Sequence, residues 1–127
     1  MTLLEECLTA LEGNALVLSK EESKKIFDNF IKSIPMTPWG TIDWKNTKQV
    51  KRILSINNLK HHIPLNKNEV YILWNEESLP AIKTNIDNVL KVIYDITAVS
   101  FDTWIFCPKN KYVIEFYHEN EVHIGFY

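Results

Sequence analysis

The chain has 127 residues, 46% of them hydrophobic and 24% charged, with only three glycines; this is the make-up of one ordinary globular domain over residues 1–127 and excludes a disordered or low-complexity protein. At this length a single core burying roughly 65% of the unfolded chain's surface is expected. The net charge of −2 conceals an asymmetry: residues 1–68 carry ten Lys/Arg against seven Asp/Glu (+3) and residues 69–127 four against nine (−5), which disfavours a nucleic-acid groove in the second part and suits a basic partner there.

Leu3, Leu4, Cys7, Leu8 and Leu11 stand at helical spacing and predict a short amphipathic helix over 2–12, with Thr2 as N-cap and Gly13-Asn14 as stop. Acids at Glu5 and Glu6 stand where a secretory leader needs a basic start, and no later stretch is long enough to span a bilayer, so the cytoplasm is the expected address. Residues 15–18 (Ala-Leu-Val-Leu) read as a short buried strand. Ser19 and Glu22 have the spacing of a capping box that opens a second helix, whose apolar face is Ile26, Phe27, Phe30, Ile31 and Ile34 and which Pro35 ends. Residues 35–44, with two prolines and a glycine beside Trp39 and Trp44, predict an ordered loop.

From Thr47 to about Ile56 the spacing of Val50, Ile53 and Leu54 suggests a third helix, basic on its exposed face through Lys48, Lys51 and Arg52. His61, His62 and Pro64 then lead to a strand over Glu69–Trp74. Ile82, Ile86, Val89, Leu90 and Ile93 predict a helix over roughly 83–95, with Asp87 and Lys91 an i,i+4 pair. The period then changes to two: Thr103–Cys107, Tyr112–His118 and Val122–Tyr127 read as three strands joined by short turns, a β-meander. The expected fold class is α/β (α+β), a mixed or mostly antiparallel sheet of four to five strands packed against three to four helices.

Motifs for small-molecule chemistry are weak. Gly13, Gly40 and Gly125 are too far apart for a phosphate-binding loop, and Cys7 and Cys107 offer no zinc framework, so no cofactor, metal or catalytic residue is assigned. The two cysteines suit buried thiols in a reducing compartment better than a disulfide. His118 and His123 flank a hairpin near Glu115, Glu119 and Glu121 and could form an acid/base or metal pair, although such residues at a hairpin tip are usually solvated. Adjacent His61 and His62 would point apart in an extended chain, and Cys107 between Phe106 and Pro108 lacks the electropositive setting of a nucleophile. Trp39, Trp44, Trp74 and Trp104 could stack on bases beside the basic segment 45–52, but core and loop anchoring is the plainer reading.

The acids of the second part can be surface charge, or they can meet a basic partner such as a phosphate-binding active site. Glu76, Glu77, Asp87, Asp102, Glu115, Glu119 and Glu121 are the candidates for that role.

The helix start at residues 3–8 (Leu-Leu-Glu-Glu-Cys-Leu) and the loop at 37–44 (Thr-Pro-Trp-Gly-Thr-Ile-Asp-Trp) form a pattern with three later segments. These are the strand at 70–74 and the segments 99–104 (Val-Ser-Phe-Asp-Thr-Trp) and 112–118 (Tyr-Val-Ile-Glu-Phe-Tyr-His). Over most of its length the chain thereby resembles the immunity proteins of bacterial contact-dependent growth inhibition. The resemblance implies a non-enzymatic cytoplasmic protein that binds the C-terminal toxin domain of a surface exoprotein, expected to be a nuclease, by occluding its active site or its access to substrate. It implies no membrane, nucleic-acid or small-molecule partner, and it carries no catalytic residues to transfer. Two other classes stay open: a small nucleic-acid-binding regulator working through 45–52, and a small enzyme built on His118 or His123 and carboxylates.

Overall fold

A computed structural model describes residues 1–64, 68–117 and 121–127. The elements run α1 (Leu3–Ala10), β1 (Leu16–Val17), α2 (Lys20–Ser33), a 3-10 turn (Trp44–Asn46), β2 (Lys48–Ile53), a second 3-10 stretch (Ile56–His62), β3 (Glu69–Trp74), β4 (Ile82–Asn85), α3 (Ile86–Lys91), α4 (Ile93–Thr97), β5 (Thr103–Cys107), β6 (Tyr112–Tyr117) and β7 (Glu121–Phe126). The strands form one antiparallel sheet in the order β1-β4-β3-β5-β6-β7-β2. The α/β class and the C-terminal meander stand. The strand count rises to seven because β2 and β4 lie in segments that read as helix.

The capping box expected at Ser19 forms, and Thr2, expected as an N-cap, forms a second one. Thr2 and Glu5 close the start of α1, and Ser19 and Glu22 that of α2, so orphan N–H groups at each helix start are satisfied. The Ser19 backbone N–H, and then its hydroxyl, hold the Glu22 carboxyl below its ordinary range.

Alternation along the strands splits the interior in two. Val70, Ile72, Ile105, Cys107, Ile114 and Ile124 face a layer holding α1, α3 and α4. Leu73, Trp104, Phe106 and Val113 face α2 and the 34–44 loop, where Phe30 sits 5.0 Å from Trp104 and 5.5 Å from Phe106, centroid to centroid. Cys7 and Cys107 both lie in the first layer as free buried thiols.

Three segments differ from the sequence reading. The basic helix expected from Thr47 is the edge strand β2. Gln49 takes a positive φ of 49° and the pairing with β7 slips by one residue between Lys48 and Lys51, a β-bulge. That extra residue breaks the period of two and leaves Val50 and Ile53 at i, i+3, while Leu54, beyond the strand and 90% exposed, completes the helix-like spacing without sharing their face. At the other edge, β1 is not buried: only β4 flanks it, and Leu16 and Val17 are exposed while Leu18 goes inside. Finally, Ile82–Asn85 pairs with β3 as a strand, and the helix begins at Ile86 and breaks at Val92 (φ −127°, ψ 32°) into α3 and α4. The apolar stripe survives the break, since Ile86, Val89, Ile93 and Ile96 are all buried. His61 and His62 lie on a 3-10 stretch instead of extended chain.

Candidate functional site

One groove of about 750 Å³ opens at the end of the sheet where β2 stops, β6 ends and β7 starts. Ile53, Phe116 and Val122 line it from the strands, Leu3 comes from α1, and Tyr94 and Thr97 come from α4. Four large apolar side chains around it face solvent: Leu3 (51% exposed), Leu54 (90%), Tyr94 (71%) and Phe101 (84%). Scattered apolar residues are normal on a surface, but a cluster gathered on one concavity makes that concavity the candidate site.

Local structure explains the exposure. Burying Ile93 and Ile96 on the sheet turns Tyr94 outward from the short helix α4. The indole of Trp74 donates to the Ile96 carbonyl (3.1 Å) and fixes that helix on β3. The backbone N–H of Asn75 donates to the carbonyl of Asp102 (3.2 Å), which ties the turn bearing Phe101 to the end of β3.

The seven candidate acids separate sharply. Glu76 and Glu121 line the groove, and Glu121 also pairs with Arg52 at 3.7 Å on the surface. Glu77 is exposed beside Glu76, and Asp87 is exposed on α3. Asp102 and Glu115 are buried, 7% and 3% exposed, so neither carboxylate is presented to a partner. Glu119 lies outside the described residues. Missed in the sequence were Glu5, Glu6 and Asp95: α1 packs against α4, so acids from both ends of the chain stand on elements beside the same groove. Nothing in the spacing marks that, because the pairing of α1 with α4 is a long-range contact.

Glu115 has a structural task on the opposite face. One carboxylate oxygen accepts from the indole of Trp104 (2.8 Å) and the backbone N–H of Ile42 (3.3 Å), the other from the indole of Trp44 (3.0 Å). Three N–H donors thus satisfy a buried carboxylate and pin the 34–44 loop to the sheet. Trp44 lies over Gly125, where an added Cβ would stand 2.7 Å from its ring, and stacks on His123 at 5.3 Å. The hairpin 36–42 is braced by Gly40 N–H to Thr37 carbonyl (3.1 Å) and Thr37 N–H to Thr41 carbonyl (2.7 Å), yet it holds Trp39 76% exposed at its tip.

His123, on β7, is therefore a stacking partner for Trp44 of this loop, while His118 lies outside the described residues. Among the described residues no three His, Cys, Asp or Glu side chains are grouped to hold a metal ion. Cys107 is buried and donates its thiol to the Glu69 carbonyl (3.5 Å), and burial, then the Asp95 carboxylate, push the Cys7 thiol up to about 11. Lys48, Lys51 and Arg52 are exposed along the edge strand β2 and not on a helix, where lysines and a bulge deter pairing with another chain. No described helix is long and apolar enough to cross a membrane.

Residues 1–125 match the family model described as CdiI immunity protein EcoliA0-like. No curated protein matches the chain.

Proposed function

The chain belongs to the CdiI immunity protein family, and from that premise we propose that it binds in the cytoplasm to the C-terminal toxin domain of its cognate exoprotein and holds it inactive. It acts as a stoichiometric inhibitor and not as a catalyst. The toxin is a nuclease, whose basic phosphate-binding surface suits an acidic inhibitor. The observation that carries the reading is the groove at the sheet end, where Leu54, Tyr94 and Phe101 are exposed together beside Glu76 and Glu121. Interfaces draw their energy from a few aromatic and aliphatic anchors within a polar rim, and this surface has that make-up. Of the acids singled out in the sequence, Glu76, Glu77 and Glu121 belong to that rim, with Asp87 the outlying member.

The test is growth rescue. The toxin domain encoded beside this gene is expressed in susceptible cells with and without this protein, and the purified pair is titrated by calorimetry. Rescue together with one-to-one, nanomolar-range binding is expected. Death regardless of the protein, with no heat of binding, overturns the reading.

A further inference from the structure

We infer that the groove captures a protruding segment of the toxin domain that carries an apolar anchor flanked by lysine or arginine. The inference rests on the toxin-binding reading above and deepens it in two respects, shape and charge. A concave site accepts a convex element, so at this surface the immunity protein receives a toxin segment; it does not insert one of its own loops into a toxin cleft.

Charge selects what that segment bears. The groove is framed by α1, α4, the turn at 75–79 and β7, and these elements carry exposed Glu5, Glu6, Asp95, Glu76 and Glu77 together with Glu121, but neither lysine nor arginine. Among the described residues the nearby cations are those of β2, Lys60 on the 3-10 stretch that begins at Ile56, and the amino terminus ahead of Leu3, fewer than the six acids, and Arg52 of β2 already faces Glu121 at 3.7 Å. A surface pair of that kind is worth little, so a better-placed cation from a partner can exchange with it. The field over the groove is negative and its floor is apolar. An apolar segment without cations would leave these carboxylates partly desolvated and unpaired; an acidic one would be repelled.

The test measures binding of the cognate toxin domain to the full chain and to four variants, each checked for an unchanged thermal midpoint. Phe101→Asp and Leu54→Asp, at positions 84% and 90% exposed, should fold normally and weaken binding by about 30-fold or more. The double reversal Glu76→Lys with Glu77→Lys should slow association about tenfold at low salt and flatten its salt dependence. Trp39→Asp, on a hairpin whose base at Met36 and Ile42 packs on the opposite sheet face, should bind as the parent does. If the parent binds and both groove variants bind equally well, or if Trp39→Asp is the variant that fails, the capture inference falls while the toxin-binding function stands. If charge reversal leaves the rate and its salt dependence unchanged, the cationic half of the inference falls. Self-association of the parent that Phe101→Asp abolishes would assign the groove to a second copy and overturn the inference. If the parent itself does not bind, the functional reading falls first.

Discussion

Replacing Glu115 by Gln is the sharpest probe of what holds the 34–44 loop. The carboxylate serves three N–H donors, two on one oxygen and one on the other. An amide keeps a single acceptor oxygen, and its better orientation serves Trp104 and Ile42 while its NH2 group meets the Trp44 indole N–H head on. One hydrogen bond to a charged acceptor is lost, worth about 1.5–3 kcal/mol, and the two that remain become neutral and weaker. The expected loss is about 2–4 kcal/mol, a large share of the about 5–15 kcal/mol that stabilises a typical domain. Urea unfolding followed by tryptophan emission reads it directly, and a double-mutant cycle with Trp44→Phe should return a coupling of about 1.5–3 kcal/mol. A Glu115→Gln protein within about 0.5 kcal/mol of the parent, or strict additivity in the cycle, would refute the three-donor account.

Gly125→Ala should cost about 1–3 kcal/mol, because the new methyl would stand 2.7 Å from the Trp44 ring and 3.0 Å from the Thr47 methyl; the urea midpoint checks it. Trp39→Ala should leave that midpoint unchanged, as the ring is 76% exposed. Ser19→Ala should cost about 1 kcal/mol by removing the cap of α2, measured by thermal unfolding. Since Glu22 titrates low in the folded state, its contribution is present at neutral pH and fades as pH falls through the carboxylate range; in the Ser19→Ala protein that acid-side loss should shrink. The Cys7 thiol, raised from 9.0 to about 11, should resist a thiol reagent at pH 8 in the native state and react once urea unfolds the chain. Because its folded pKa is raised, the native state keeps this proton while the unfolded chain loses it, so stability should decline as pH climbs from about 9 to about 11.

What could be read in the sequence was what local physics decides alone. Ser19 with Glu22 and Thr2 with Glu5 sit at cap spacing and form caps; Glu69–Trp74 and Thr103–Cys107 are dense in β-branched and aromatic residues and form strands over those same residues. Where a neighbour decides, local signals misled. In the stretch from Lys48 to Ile53 a bulge leaves Val50 and Ile53 at i, i+3, Leu54 beyond the strand completes a helix-like spacing, and the state of the stretch is set by the open edge of β7, some seventy residues on. Ile82 and Thr84 alternate as a strand should, but the isoleucines and valine that follow at helical spacing masked four residues of pairing with β3.

The same division runs through the functional surface. Strand alternation already sets Glu115 on the face with Val113 and Trp104, between apolar neighbours, so an inward carboxylate could have been inferred from parity; only the fold reveals that two indoles and a backbone N–H await it. The groove has no signature along the chain. Leu3, Leu54, Tyr94 and Phe101 come from four separate segments, and their exposure follows from what their neighbours bury: Ile93 and Ile96 beneath Tyr94, Asp102 beside Phe101, Ile53 before Leu54. An interface assembled this way leaves each anchor free to vary without disturbing the core next to it. On the proposed reading, the core is carried by caps, alternation and a buried carboxylate, and binding would fall to side chains that stand largely outside it.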